Sequence, residues 1–153
     1  MTKQSAGLVV HRKRHGDVEV FLVHPGGPFW KNKDAGAWSI PKGEFAESED
    51  PLEVARREFR EETGQSIDGS FGPLQPIKQR GGKTVYAWAV ESDFDASQLT
   101  SNTFTIEWPR GSGKFKEFPE VDRAEWFTLD AAMQKINVGQ RELLEQLLRY
   151  QEK

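Results

Sequence analysis

The segment from Asp50 to Gly64 carries its own start and stop signals, and no other feature constrains the chain as tightly. Asp50 is a good N-cap, Pro51 suits the first helical position, and Glu53 stands at capping-box spacing. Gly64 suits the left-handed position just past a helix. At about 100° per residue, Leu52, Ala55, Phe59 and Thr63 share one side, the face expected to meet a core. Runs rich in valine and leucine at 6–12 and 18–23 read as two strands. Further strand candidates are 37–40, 71–79, 83–91, 102–108 and 125–127, and two helices close the chain at 129–136, capped by Thr128, and 140–150. Strands and helices mix without regular alternation, so an α+β or layered α/β/α domain is expected, one domain over 1–153.

Composition narrows the function classes. Apolar residues make up 36% of the 153, and the 14 glycines bring the total into the globular range. No apolar run approaches the roughly 20 residues of a membrane span. The chain contains no cysteine, which excludes disulfides, thiolate zinc sites and a cysteine nucleophile. The expected compartment is the cytoplasm. A net charge of −3 disfavours sequence-independent nucleic-acid binding, and no stable nucleic-acid partner is expected. The one basic cluster, His11 to His15, precedes Gly16-Asp17 and reads as a solvated hairpin loop. A longer loop, 25–36, is rich in Gly, Pro and Lys and includes Phe29 and Trp30; loops of this length are often functional.

Glu58, Glu61 and Glu62 stand at i, i+3 and i+4 on the first helix, the spacing at which side chains meet. Like charges there are mutually destabilising by a few tenths of a kcal/mol per pair. A hard divalent cation relieves that repulsion and takes oxygen ligands together with substrate phosphates. From Gly43 the chain reads G-x5-E-x7-R-E-F-x-E-E-x-G, with Gly43, Glu49, Arg57, Glu58, Glu61, Glu62 and Gly64 as fixed points. This pattern resembles the Nudix box, the signature of the Nudix hydrolases. The strands before it and the strands and helix after it also follow the family's order. The last box position is ordinarily aliphatic and here is Gln65, with Ile67 two residues on.

The resemblance implies a Nudix-type α/β/α sandwich with a mixed sheet and an enzyme that cleaves a nucleoside diphosphate linked to another group. It implies Mg²⁺, with Mn²⁺ as a substitute, held by Glu58, Glu61, Glu62 and the Gly43 carbonyl. Glu49 becomes a supporting carboxylate and Arg57 the residue that keeps the ligands in register. Family members often use one more glutamate, as ligand or base; Glu120 is the first candidate and Glu117 the second.

The segment Trp38 to Gly43 resembles diadenosine polyphosphate and diphosphoinositol polyphosphate hydrolases, which makes Lys42 a phosphate contact and Trp38 a substrate-side residue. Lys83 to Trp88 is similar to diadenosine tetraphosphate hydrolases. Alternation puts Thr84, Tyr86 and Trp88 on one face and Lys83, Val85 and Ala87 on the other. Tyr86 and Trp30 are candidates for stacking on a base. His24 either meets a phosphate or packs the turn beside it. A dinucleoside polyphosphate is the expected substrate; a nucleoside triphosphate or nucleotide sugar is the alternative. A non-catalytic nucleotide sensor of the same family is the reading from another class, and such domains lose box carboxylates that this chain keeps.

Overall fold

The computed structural model describes residues 3–151. Nine strands run in chain order: β1 (Gln4–Arg14), β2 (Asp17–Pro25), β3 (Lys42–Glu44), β4 (Gly72–Pro73), β5 (Ile77–Lys78), β6 (Thr84–Glu91), β7 (Thr103–Glu107), β8 (Phe115–Pro119) and β9 (Val121–Thr128). The helices are α1 (Pro51–Thr63), α2 (Leu129–Lys135) and α3 (Arg141–Gln151), with a 3₁₀ turn, Val138–Gln140, before α3. The main sheet runs β4-β6-β1-β2-β9, with β3 also on β1 and β5 also on β6. Only the β1–β6 pairing is parallel among these strands, so the sheet is mixed.

Alternation along the central strands sends side chains to two cores. Leu8, Val10, Phe21 and Val23 join Val54, Ala55 and Phe59 of α1 on one face. Val9, Val20, Leu22, Val85, Ala87 and Ala89 join Leu143, Leu144 and Leu147 of α3 and Ala132 of α2 on the other. The expected sandwich is what these two faces build. The α1 caps are those read from sequence: Asp50 accepts from the Glu53 N–H at 3.3 Å, and Gly64, at φ 79°, donates to the Arg60 carbonyl. The buried face of α1 also takes in Val54 and Glu62. Among the described residues no helix is long and apolar enough to cross a membrane.

Several expectations shift. The stretch 71–79 yields only β4 and β5, because Pro73 and Pro76 lack the N–H a continuous ladder needs. Trp38 and Ser39 form isolated bridges rather than a strand. β8 was not anticipated, and β9 extends well beyond 125–127. The basic cluster is mostly strand: only His15 and Gly16, both at positive φ, turn between Arg14 and Asp17. Two such residues match a hairpin turn that follows the natural twist of the strands. β7 and β8 pair with each other in a separate ribbon.

Candidate active site

The three glutamates project from the side of α1 that faces β3. β3 is short but registered, with Gly43 opposite Ala6 and Lys42 opposite Gly7. Glu58 lies directly against Gly43, and a Cβ at that position would fall inside the Glu58 carboxylate. Only glycine lets the backbone and the acid approach so closely. Burial, then contact with the Glu61 carboxyl and its charge, pushes Glu58 up to about 7. Glu62 is raised well above the usual carboxylate range by burial and by the Glu58 charge. Lys42 opposes this through its charge and its backbone N–H. Two carboxyl groups in contact need either a shared proton or a cation between them.

Arg57 binds the cluster from its rim. Its guanidinium is 3.1 Å from Glu49, 3.6 Å from Glu58 and 3.9 Å from Glu61. Glu49 in turn accepts the Ala46 N–H at 2.9 Å, and that bond, with Arg57 second, lowers its pKa. Arg57 thus links the loop before α1 to two of the three clustered acids.

Glu120 is the single residue between β8 and β9. Backbone bonds tie this junction to the cluster: Asn102 donates to the Glu61 carbonyl at 2.7 Å, Glu120 to the Asn102 carbonyl at 2.8 Å, and Gly26 to the Glu120 carbonyl at 2.9 Å. The Glu120 charge contributes to raising both Glu58 and Glu62, and Glu120 itself is raised by desolvation and by Glu61. Glu117 stands opposite Thr105 on the ribbon, away from that junction. Among the described residues, no group of three or more acidic or imidazole side chains is already closed as a metal site. The donor chemistry nonetheless fits a hard cation: carboxylate oxygens and a carbonyl, with three of the carboxyl groups raised.

A cleft of about 270 Å³ has Lys42, which interacts with Glu62 and Glu58 through its charge, in its wall beside Trp30, Ser39, Arg80, Lys83 and Gln140. Burial and the Lys83 charge lower the Lys42 pKa. A wider groove of about 760 Å³ lies by Arg12, Asp93 and Trp126. Its Arg12 is spent on Glu19 and Asp93, both at 2.8 Å, and neither Lys42 nor any clustered acid lines it.

A family model described as the NUDIX domain matches residues 1–147. The chain belongs to the Nudix family. It is 31% identical over 147 residues to an 8-oxo-(d)GTP phosphatase of Mycolicibacterium smegmatis, covering 88% of this chain. The chain spans only 38% of that relative's length. Among solved structures it resembles a Caenorhabditis elegans Ap4A hydrolase binary complex, with a TM-score of 0.66, 22% identity and coverage of 99% and 98% of the two chains. It also resembles the NUDIX domain of Shewanella oneidensis NrtR complexed with ADP ribose, with a TM-score of 0.67, 17% identity and coverage of 100% and 90%. At those identities the likeness is one of fold.

Within the Nudix box, Gln65 is half-buried and Ile67 occupies the α1-side core, so the aliphatic contact moves two residues along. The expectation for Trp38 needs correction. Trp38 is 1% exposed, donates to Asp34 at 2.8 Å and sits in the α2–α3 core, where no substrate can reach it. Tyr86 lies on the α1 side of β6, beside Phe45 and hydrogen-bonded by Gln4, and does not line the cleft that holds Trp30. His24 is fully buried, spanning Asp122 at 2.8 Å and the Lys33 carbonyl at 2.7 Å, so it packs the turn. Sequence reading passed over Arg80 and gave Lys83 no site role; the paired glycines between them, Gly81 and Gly82, both at positive φ, were the available signal of a tight basic turn.

Proposed function

We propose that this Nudix chain is a Mg²⁺-dependent pyrophosphohydrolase, with Mn²⁺ as a substitute, that cleaves a phosphoanhydride bond in a nucleoside diphosphate linked to another group. Dinucleoside polyphosphates are the proposed substrate class. The observation that carries this reading is Glu58 packed against the Gly43 backbone, with Arg57 reaching both Glu58 and Glu61 and Lys42 in the wall of the cleft.

Glu58, Glu61, Glu62 and the Gly43 carbonyl are the groups that would hold the ion, with Glu120 as a further ligand or as the base. Bound there, such an ion would neutralise charge on the phosphate oxygens and lower the pKa of the attacking water. Arg57 keeps Glu58 and Glu61 in register through its hold on Glu49. Lys42 faces a phosphate as a point charge, assisted by Arg80 and Lys83. Trp30, 38% exposed, offers its ring to a base. Glu120, raised and outside the helix, is suited to accept a proton from water.

The similarity to an 8-oxo-(d)GTP phosphatase supports a second substrate reading, a nucleoside triphosphate. A sensor without catalysis is opposed by the complete set of box carboxylates. The test is a hydrolysis panel with Mg²⁺ over dinucleoside polyphosphates, nucleoside triphosphates and nucleotide sugars, with products identified. Activity should vanish with EDTA and return with Mg²⁺ or Mn²⁺, and Glu61→Gln should lose orders of magnitude in kcat while remaining folded. Full turnover in that variant sinks the assignment of the metal site.

A further inference from the structure

Phe29 and Phe115 are 56% and 68% exposed, an unusual fate for phenylalanine in a small protein. Phe29 is not solitary. Its ring meets Trp108 edge-on at 5.4 Å, although the two residues come from different segments, the 26–36 loop and the end of β7. The contact is the outer tooth of a zipper. Gly26 is bonded to the Glu120 carbonyl, the Gly27 backbone lies against the Phe104 ring, and Phe29 then meets Trp108. Phe115 pairs with Glu107 and so projects from the opposite face of the ribbon to Trp108, which leaves Phe29 and Trp108 as the aromatic pair.

Cations flank this surface. Lys31 follows Phe29 by two residues, and Arg110 and Lys114 lie in the turn that joins β7 to β8. Among the described residues none of these three side chains makes an ion pair. The nearest acid, Glu107, turns its carboxylate inward to the Gly111 and Gly113 N–H groups at 2.9 and 3.1 Å. The ribbon starts at the catalytic junction: Thr103 pairs with Pro119, beside Glu120. Five residues of strand, at about 3.3 Å each, carry Trp108 roughly 16 Å outward from there.

We infer that the Phe29–Trp108 pair, with Lys31, Arg110 and Lys114, is a distal subsite that stacks the second base of a dinucleoside polyphosphate whose anhydride chain runs back along the ribbon to the Glu58–Glu61–Glu120 cluster. The inference rests on the proposed substrate class. A ligand with one base uses Trp30 and the cleft, and it leaves the outer pair untouched. A ligand with two bases joined by several phosphates reaches both, with Lys114 level with the stacked base at Trp108 and Arg110 in the turn beyond it.

The test is isothermal titration of wild type, Trp108→Ala and Trp108→Phe with a methylene-bridged, non-hydrolysable analogue of diadenosine tetraphosphate and, separately, of ATP, all in Mg²⁺. Wild type should bind the dinucleoside at least about fivefold more tightly than ATP, since a stacked base is worth a measurable affinity step. Trp108→Ala should raise the dinucleoside Kd by about tenfold and leave the ATP Kd within about twofold; Trp108→Phe should restore most of the loss. Arg110→Gln combined with Lys114→Gln should weaken only the dinucleoside and flatten its salt dependence. Equal changes for both ligands, no change for either, or no dinucleoside binding by wild type overturns the subsite. If binding follows this pattern but the hydrolysis panel is blank, the subsite stands and the proposed catalytic activity falls.

Discussion

Glu58 is crowded by burial and by the neighbouring Glu61, and a proton or a cation relieves that crowding. In metal-free protein the sign of the resulting pH dependence follows directly. Glu58 titrates near 7 in the folded state and Glu62 is raised well above the usual carboxylate range, whereas both return to that range on unfolding. Between about pH 4.5 and 7 the folded state therefore binds more protons, and stability falls as pH rises through that window. Tm in EDTA should be higher at pH 5 than at pH 8, Glu58→Gln should flatten the slope, and Mg²⁺ should close the gap. A flat Tm profile for the wild type in EDTA would contradict the crowding. Gln65 is the opposite kind of residue. It is half-buried and reaches only the Asp95 carbonyl, at 3.4 Å, so Gln65→Leu should leave kcat and KM unchanged and Tm equal or higher. A large loss of turnover in a folded Gln65→Leu protein would make it a substrate contact.

Among the elements, the 26–36 loop has the least regular structure and the most to hold in place. Its anchor is His24, whose two ring nitrogens span Asp122 on β9 and the Lys33 carbonyl, while the Asp34 carboxylate is bound by Lys135 and Trp38. His24→Ala leaves a buried gap and two polar groups without their partner. We expect a loss on the order of 2–4 kcal/mol in chemical denaturation, with KM affected more than kcat as Trp30 loses its support. An unchanged denaturation midpoint would show that the loop is held elsewhere. Helix α1 was legible in the sequence because its caps are local: Asp50, Pro51 and Gly64 act on their own backbone. The β7–β8 ribbon was only half legible. Most of β8 faces solvent, so no apolar alternation marks it. Trp38 was misread because proximity to Gly43 in sequence says nothing about which way a side chain points; here it points into the α2–α3 core. Arg80 and Lys83 join Lys42 only through the pairing of β5 with β6 and of β6 with β1, and that convergence has no short-range signature.

Across the whole molecule, the box residues read from sequence come from one contiguous stretch, but what surrounds them comes from four others: the 25–36 loop, the turn before β6, the 3₁₀ turn before α3 and the β8–β9 junction. The sheet brings them together, and three amides hold the last of them to α1. The Asn102 N–H bonds the Glu61 carbonyl, the Glu120 N–H bonds the Asn102 carbonyl, and the Gly26 N–H bonds the Glu120 carbonyl. This chain of peptide groups is a built-in reporter. Its deuterium uptake measures how often the acid cluster comes apart from the ribbon, separately from global unfolding. Gly26, Asn102 and Glu120 should exchange together, faster than the β1–β6 ladder, and should slow in concert when Mg²⁺ is added. Uncorrelated exchange at the three amides would mean that the junction does not open as one unit.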